Sequence, residues 1–264
     1  MKITFIGCGN MAKAMIGGIL KQGIAGAEDL TATAATEASR QAAEKSFGIH
    51  TEADNAAAAA DADLLVLAVK PIYLEGVIRE IAGAVSPETI IVSLAPGRTL
   101  EWMEGLFGRK VKLIRTMPNT PALVGEGMTG LCANSQVGKE DLDKALQVFE
   151  SFGKVQVVPE RLMDTVVGVS GSSPAYVFLF IEALADAAVA DGMPRAQAYE
   201  FAAQSVLGSA KMVLETGKHP GELKDMVCSP GGTTIEAVRV LEEKGFRSAV
   251  IEAAKACVRK SSGM

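Results

Sequence analysis

The chain of 264 residues is 48% hydrophobic and 22% charged, with a formal net charge of −5. This balance is typical of a folded globular protein with room for one large domain or two ordinary ones. The net negative charge provides no basic field for a nucleic-acid backbone, so we expect no nucleic-acid partner. With only His50 and His219 available, a histidine-based metal centre or a Ser-His-Asp triad is poorly supported, and we expect no metal site.

Three features of the sequence favour a cytoplasmic location. The N-terminus leads straight into a strand-like segment, without the charged region, apolar stretch and small-residue cleavage site of a secreted protein. The apolar segment at residues 175–189 contains Glu182 and Asp186, so we expect no membrane span. The four cysteines have no paired spacing and are typical of reduced thiols rather than of a disulfide framework or a metal site. They are Cys8, Cys132, Cys228 and Cys257.

Short apolar strands alternate with helix-like segments through the first part of the chain. Strands are predicted at residues 2–6, 29–34, 64–69, 89–94 and 112–117. Helices are predicted between them at residues 11–21, 36–47 and 72–85. This alternation predicts an α/β fold that begins with a Rossmann-type, doubly wound parallel sheet. We expect a further unit to extend the sheet at one edge, with a strand at 128–134, a helix at 139–152 and a strand at 154–158.

After about residue 163 the strand signals stop and only helical segments follow. They lie at residues 174–190, 195–216, 234–243 and 246–259. We therefore predict a dinucleotide-binding Rossmann domain at residues 1–160 and an all-helical domain at residues 161–264.

The first helix of the second domain is apolar on nearly every face. Ser172 or Ser173 can cap it, and Pro174 suits its first turn. Residues 176–181 then leave almost no polar face, and such a helix must be buried on all sides. We expect an interlocked homodimer to bury it. The alternative is that the helix lies between the helical domain and the sheet of a single chain.

The segment Gly7-Cys8-Gly9-Asn10-Met11-Ala12 has the small-residue form of the dinucleotide-binding fingerprint. Gly7 allows a tight turn, Gly9 allows the pyrophosphate to approach the backbone, and Ala12 allows close helix–strand packing. The motif ends a strand and begins a helix, so we predict that backbone N–H groups and the helix end bind a dinucleotide. The predicted contacts are Ile6, Gly7, Cys8, Gly9, Asn10 and Met11.

The end of the second strand bears on which dinucleotide is bound. NAD-binding proteins usually place an acid there, whereas this chain reads Thr33-Ala34-Ala35-Thr36 before Glu37. The missing acid favours NADPH as the cofactor, with NADH possible. Thr36, Ser39 and Arg40 could hold a 2′-phosphate, and the alternative is that all three are surface helix residues.

Several loops add to the predicted site. Three follow predicted strands at the carboxyl edge of the sheet, where ligands bind: Lys70-Pro71, Ser93-Leu94-Ala95-Pro96-Gly97 and Met117-Pro118-Asn119-Thr120-Pro121. Met117 and Asn119 are thus predicted cofactor contacts. Farther along, Ser229-Pro230-Gly231-Gly232-Thr233-Thr234 precedes a helix, and its amides can bind an anion such as a carboxylate. The alternative, compatible with the first, is a capped helix entry with Thr233 or Thr234 as N-cap.

With residues 171–176 and His219-Pro220-Gly221, these motifs resemble the pyrroline-5-carboxylate reductase family along essentially the whole chain. The loop of residues 229–234 is the most specific signature. The resemblance implies NAD(P)H-dependent reduction of 1-pyrroline-5-carboxylate to L-proline, the last step of proline biosynthesis. It also implies an interlocked dimer, often assembled into a decamer, whose substrate lies between the nicotinamide of one subunit and helices that include the partner's.

The resemblance further implies roles for individual residues. The Thr234 hydroxyl would hydrogen-bond the substrate ring nitrogen and could relay its proton. The amides of Gly232 and Thr233, with Ser229 nearby, would form the carboxylate pocket, and Glu160 would be a substrate-side acid. Additional implied cofactor contacts are Asn55, Ala68, Val69, Lys70, Pro71, Ser93, Leu94 and Ala95.

The chain departs from the family pattern at four places. Ser173 replaces the second glycine of Gly-Ser-Gly-Pro, Pro96 replaces a small residue, and Met226 stands where some members have a substrate-contacting asparagine. These three changes leave the reaction intact but could shift substrate affinity. The second-strand tip also lacks the Ser/Asn-Arg pattern of many NADP-preferring members, which leaves the cofactor preference open.

Two other classes of protein remain as alternatives. A β-hydroxyacid dehydrogenase would rely on a lysine in its helical domain, and Lys211 and Lys224 are candidates, although neither lies in a matching motif. A non-catalytic nucleotide-sensing or lipid-associated protein is the other alternative. The complete loop at residues 229–234 argues against it.

Overall fold

The computed structural model describes residues 1–263. The strands are β1 (Ile3–Ile6), β2 (Leu30–Thr33), β3 (His50–Glu52), β4 (Leu64–Leu67), β5 (Ile90–Ser93), β6 (Lys112–Met117), β7 (Gly127–Ala133) and β8 (Gly153–Val157). The first helices are α1 (Asn10–Gln22), α2 (Glu37–Phe47), α3 (Asn55–Ala60), α4 (Pro71–Ile81), α5 (Leu100–Phe107) and α6 (Lys139–Glu150). The later ones are α7 (Met163–Val166), α8 (Ser173–Ala190), α9 (Arg195–Thr216), α10 (Pro220–Val227), α11 (Thr233–Glu243) and α12 (Phe246–Ser262).

The strands form one sheet in the order β3-β2-β1-β4-β5-β6-β7-β8. The first six strands are parallel, whereas β7 runs antiparallel to β6 and β8 runs parallel to β7. β1 lies between β2 and β4, so the strand order reverses beside β1, and Ile6 pairs with Leu67 at that point. The crevice at such a reversal, outside the carboxyl ends of the strands, is where doubly wound sheets bind ligands. The predicted α/β class is confirmed.

Apolar side chains cover both faces of the sheet. On one face Ile3 and Phe5 pack with Ile16 of α1, and on the other Leu65 and Leu67 belong to a separate buried cluster with helices α4 and α5. Strands buried on both faces must be continuously apolar, which explains why residues 64–67 read Leu-Leu-Val-Leu.

The chain divides into two compact units. The first comprises Met1–Ser172 together with Cys257–Met264, and the second comprises Ser173–Ala256. The sequence predicts a division at residue 160 and assigns the C-terminus to the helical domain. The compact units differ on both points, because the C-terminal end of α12 packs on the first unit.

Specific contacts hold that C-terminal end. The Ser261 hydroxyl, 1% exposed, donates to Asp164 Oδ1 at 2.7 Å. One turn earlier, Cys257 Sγ lies 3.0 Å from Ser172 Oγ. Such non-local hydrogen bonds leave no trace in the periodicity of the sequence, so the predicted boundary could not include them.

Helix α8 keeps a largely exposed apolar surface. Phe178 and Leu179 are 62% and 67% exposed, and Ala185 is its one buried residue. The continuous helical stretch of residues 160–190 is also long and apolar enough to cross a membrane, judged by length and composition only. Glu182 and Asp186 therefore do not by themselves rule out a span, and the absence of a membrane span stays an expectation. The core helix of a soluble protein passes the same test of length and composition.

The remaining differences are local. Five short elements, none longer than eight residues, were not predicted: β3, α3, α5, α7 and α10. Strands β2, β4 and β5 each end one or two residues before their predicted limits. Ser173 is the first residue of α8 rather than its cap, and five residues before it, Val167–Gly171, form a π-helical turn.

Candidate functional site

The turn between β1 and α1 has no room for a side chain at its first glycine. Gly7 has φ +97°, and a Cβ there would lie 2.9 Å from the Ala68 carbonyl oxygen. At Gly9, the N-cap of α1, a Cβ would meet nothing within 4 Å. Gly7 is thus required by the fold, whereas Gly9 faces open space that a ligand can enter.

The start of α1 suits an anion. No side chain caps it, and its first turn contains no acidic residue. The first N–H groups of a helix have no partner within the helix, and the helix dipole adds a partial positive charge there. These features fit the pyrophosphate of a dinucleotide.

Cys8 lies between the two glycines and is partly buried. Burial raises the pKa of its thiol above the ordinary value, so the side chain stays neutral near pH 7. A neutral thiol is a poor nucleophile, so we assign no chemical role to the Cys8 side chain. Cys8 contributes to the turn through its backbone and the volume of its side chain.

The tip of β2 carries the three residues predicted to select the cofactor. Thr36 is the N-cap of α2, and its hydroxyl both accepts from the Ser39 N–H and donates to Ser39 Oγ at 2.8 Å. Arg40 Nη1 donates to the Ala34 carbonyl at 2.8 Å, which holds the guanidinium at the strand end. All three side chains therefore lie together at the tip, and Thr36 and Ser39 are exposed there.

The carboxyl ends of β4 and β5 differ in what they offer a ligand. Ala68 and Val69 are partly exposed and Lys70 is exposed as the N-cap of α4. Ser93 and Ala95, in contrast, are only 0% and 1% exposed, and the Ser93 hydroxyl accepts from the Ala95 N–H.

Asn119 is 8% exposed and joins three segments of the first unit. Its Nδ2 donates to the Ser170 carbonyl at 2.9 Å, and its Oδ1 accepts from the Met128 N–H at 2.8 Å. Both ends of the amide are occupied, so the side chain stabilises the loop, whereas Met117 beside it is partly exposed.

Glu160 lies in a charged cluster of the first unit. Its Oε1 accepts from the Leu100 N–H at 2.8 Å and from Arg115 Nη1 at 3.2 Å. The Arg115 side chain is 5% exposed and also lies 3.6 Å from Asp164 Oδ1. A buried guanidinium needs such carboxylates, so Glu160 has a structural task that the sequence did not indicate.

In the second unit, the glycines of the loop at residues 229–234 serve different purposes. Gly231 has φ +69°, in the left-handed region that favours glycine. A Cβ on Gly232 would lie 2.5 Å from Ser229 Oγ. The Gly232 N–H donates to the Ser229 carbonyl at 3.0 Å, so this amide is already used within the loop.

Helix α11 begins within this segment, at Thr233, and its N-terminal end is uncapped. Gly232 is the N-cap and makes no side-chain cap bond, so the expectation that Thr233 or Thr234 would be the cap is wrong. The backbone N–H groups of Thr233 and Thr234 belong to the first turn and have no helical acceptor. They can bind a carboxylate together with the partly exposed Thr234 hydroxyl.

Metal-ligand residues do not gather in the part of the chain that the structure describes: no group of three or more His, Cys, Asp or Glu side chains lies together there.

Known proteins are similar to this chain over nearly its full length. A family model described as pyrroline-5-carboxylate reductase dimerisation matches residues 160–264, and one described as NADP oxidoreductase, coenzyme F420-dependent, matches residues 2–97. The pyrroline-5-carboxylate reductase of Escherichia coli (strain K12) is 54% identical over 98% of this chain and 97% of its own.

Two solved structures are also similar to this chain over nearly its full length. A pyrroline-5-carboxylate reductase from Coxiella burnetii has a TM-score of 0.92 at 37% identity, covering 99% of this chain and 97% of that one. The pyrroline carboxylate reductase of Plasmodium falciparum, solved with NADP bound, has a TM-score of 0.91 at 32% identity and covers 100% and 97%.

Proposed function

The chain belongs to the pyrroline-5-carboxylate reductase family, and from this premise we infer that it reduces 1-pyrroline-5-carboxylate to L-proline with NADPH. It is an oxidoreductase of proline biosynthesis. The structural observation that carries this function is the open, uncapped glycine turn at the reversal point of the sheet.

The first unit supplies the groups that hold the cofactor. The pyrophosphate is bound by the N-terminus of α1, where Gly9 leaves the backbone accessible. The cluster of Thr36, Ser39 and Arg40 supports a 2′-phosphate, because one guanidinium nitrogen is anchored to Ala34 and the remaining N–H groups are free to form charge-assisted bonds. This cluster favours NADPH over NADH.

The second unit supplies groups for the substrate. The N-terminus of α11 binds the substrate carboxylate through the amides of Thr233 and Thr234. Ser229 keeps the loop in shape through the Gly232 amide. The Thr234 hydroxyl holds the ring nitrogen.

The reaction requires the protein mainly to orient the cofactor and the substrate. When bound, the nicotinamide supplies the hydride that reduces the substrate C=N carbon. An imine that arrives protonated becomes the amine of proline without a further proton donor, which agrees with the absence of a catalytic histidine from the proposed site. The chain's own residues therefore bind, orient and hydrogen-bond.

Oxidation of NADPH on addition of pyrroline-5-carboxylate tests the activity directly. We expect substrate-dependent loss of absorbance at 340 nm with NADPH, and a lower kcat/KM with NADH in a parallel assay. A protein that binds NADPH but leaves it unoxidised in the presence of pyrroline-5-carboxylate would rule out the proposed activity. An equal kcat/KM for both cofactors would instead contradict the proposed binding of the 2′-phosphate by Thr36, Ser39 and Arg40.

Replacement of Thr234, whose hydroxyl is proposed to hydrogen-bond the ring nitrogen of the substrate, tests the mechanism. Thr234→Ala should lower kcat about 10²-fold, the effect of losing one positioned hydrogen-bonding group. Thr216→Ala, which removes an exposed hydroxyl bonded to the Met212 carbonyl at the end of α9, is the control. Turnover near the wild-type rate in Thr234→Ala would remove this hydroxyl from the mechanism.

We also propose a cytoplasmic homodimer, with a decamer as the higher assembly that the resemblance implies. The dimerisation model over residues 160–264 and the exposed apolar surface of α8 support the dimer. The free cysteines at four positions support a reducing compartment. Light scattering distinguishes a particle of two chains from one of ten.

A further inference from the structure

A chain of hydrogen bonds lies directly behind the glycine turn. Thr33, the last residue of β2, is 2% exposed. Its hydroxyl oxygen accepts from the Gly7 N–H at 3.1 Å, and the same hydroxyl donates to Asn55 Oδ1 at 2.7 Å. Asn55 Nδ2 then donates to Glu80 Oε2 at 3.0 Å. One buried hydroxyl thus links the turn after β1, the end of β2 and the start of α3.

The direction of these bonds is fixed by the chemistry of threonine. A hydroxyl has one hydrogen to donate, and Asn55 Oδ1 receives it. A lone pair of the same oxygen accepts the Gly7 N–H, which lies between the strand and the helix and belongs to neither ladder. Removal of the hydroxyl would leave both groups without this partner, and such losses are costly where water has little access.

Both groups joined by Thr33 belong to the cofactor side of the site. The Gly7 peptide sets the path of the turn that leads to the open backbone of Gly9. Asn55 presents its amide with the oxygen toward Thr33 and the nitrogen toward Glu80, so one Nδ2 hydrogen remains for a ligand. The hydroxyl therefore orients the glycine turn and an amide that the family resemblance implies as a cofactor contact, and it is itself almost fully buried.

We propose that Thr33 is a positioning residue for the dinucleotide, acting through the Gly7 peptide and the Asn55 amide. This inference rests on the proposed cofactor role of the glycine turn and on the cofactor contact that the family resemblance implies for Asn55. Loss of the hydroxyl weakens binding of the free cofactor, because the protein must then hold both groups in place without it. Turnover at saturating NADPH changes little, since Thr33 contacts neither the substrate nor the reacting atoms.

Three substitutions separate the hydroxyl from the packing of the side chain. Thr33→Val keeps the shape and removes the hydrogen bonds. Thr33→Ser keeps the hydroxyl and removes the methyl group, and Thr33→Ala removes both. The Ser and Ala variants differ in one oxygen atom, so this pair tests the proposal even if the Val variant fails to fold.

A second threonine provides the matched control. Thr89 is also 2% exposed and its hydroxyl donates to the Ala62 carbonyl at 2.8 Å, at the opposite end of the strands from the glycine turn. Thr89→Val therefore removes a buried hydroxyl bond of the same kind without touching the proposed site.

The experiment measures the Kd for NADPH by fluorescence titration, and kcat and both KM values with pyrroline-5-carboxylate. We expect Thr33→Val and Thr33→Ala to raise the Kd about tenfold, equivalent to about 1.4 kcal/mol. Thr33→Ser should stay near the wild-type Kd, and kcat and the KM for the imine should change little in all variants. Thr89→Val should lower the melting temperature and leave the Kd unchanged.

An unchanged Kd in Thr33→Ala, or an equal rise in Thr89→Val, would overturn the proposal by reducing Thr33 to a general stabilising role. A fall in kcat at saturating NADPH without a change in Kd would overturn it as well. The binding measurement needs no substrate. A failure of the proposed reductase activity in the wild-type protein would therefore be seen separately from a failure of the Thr33 link.

Discussion

At the scale of single residues, the glycines of the two proposed binding loops differ in backbone conformation. Gly7 and Gly231 adopt φ values of +97° and +69°, whereas Gly9 and Gly232 lie in the extended region. Gly7 and Gly231 are needed for backbone conformation, and Gly7 also because a Cβ there would clash. Gly9 leaves room for a ligand, and Gly232 leaves room for Ser229 Oγ. The motif G-x-G therefore combines two independent physical requirements, and substitutions at its two glycines should fail for different reasons.

Gly7→Ala should destabilise the protein and raise the KM for NADPH at least tenfold. The new Cβ would lie 2.9 Å from the Ala68 carbonyl, and the positive φ adds about 1–2 kcal/mol of strain. Gly48→Ala is the control, because Gly48 has φ +68° with open space around it at the end of α2. Gly48→Ala should lose only the stability that corresponds to the positive-φ strain, about 1–2 kcal/mol, and leave the KM for NADPH unchanged. A wild-type KM in Gly7→Ala would show that the turn tolerates a side chain.

Cys132 should make stability fall at alkaline pH. Burial raises the pKa of its thiol from the ordinary 9.0 to about 11. The unfolded chain then loses its proton before the folded one, so the contribution is present below pH 9 and is lost as the pH rises from 9 to about 11. Urea unfolding from pH 8 to 10.5 should show a smaller decline in Cys132→Ala than in the wild type. Parallel curves for the two proteins would contradict the shifted pKa.

At the scale of elements, a few side chains decide how helices join the sheet. Helix α5 begins at Leu100, whose N–H is bound by Glu160 from a segment far along the chain. The same carboxylate pairs with Arg115 of β6. One acid thus satisfies a helix terminus and a buried cation together, which fixes α5 and the start of α7 on the sheet.

Glu160→Gln tests whether this acid serves the fold or the substrate. Loss of the charge should destabilise the protein by about 2 kcal/mol, because a charged hydrogen bond to a buried guanidinium is lost. If its role is structural, the KM for pyrroline-5-carboxylate stays within about twofold of the wild type. Thermal unfolding and steady-state kinetics together give the answer. A large rise in KM with little change in melting temperature would instead support the substrate-side role that the family resemblance implies.

At the scale of the whole molecule, the second unit exposes more large apolar side chains than is usual for a soluble monomer. Several large side chains of α8 are more than a third exposed: Val177, Phe178, Leu179, Phe180 and Leu184. A patch of this kind on a folded protein marks an association surface. The apolar helix thus explains the compositional likeness to a membrane span and supports the proposed homodimer.

Leu179→Asp should weaken the proposed dimer on the order of 10²-fold in its dissociation constant, because a carboxylate would be buried without a partner. The control is Val124→Asp, at a residue of the first unit that is 76% exposed. Light scattering across a concentration series should show single chains for the α8 variant and the wild-type mass for the control. Full association of Leu179→Asp would exclude this part of α8 from the interface.

Local patterns of the sequence account for a large part of this protein. Runs such as Leu-Leu-Val-Leu predict buried parallel strands, because both faces of the sheet are covered. The glycine turn after β1 and the loop before α11 are also local, since each requirement lies within six residues. These features are sufficient for the fold class and for a dinucleotide cofactor, and together with the other motifs they indicate the family. Short elements such as β3 and α3 escape prediction because three to six residues carry no resolvable period.

The sequence alone determined the type of the longer segments, and only the tertiary structure decided which partners the polar groups take. Thr33 meets Gly7 across 26 positions, and Glu160 meets Arg115 and Leu100 across 45 and 60. Burial is a further property that only the tertiary structure decided. Ser93 and Ala95, which the family resemblance implies as cofactor contacts, have buried side chains. Periodicity reports which face of an element is covered, but a hydrogen bond between distant segments depends on how those segments are packed, and packing is set by the whole chain.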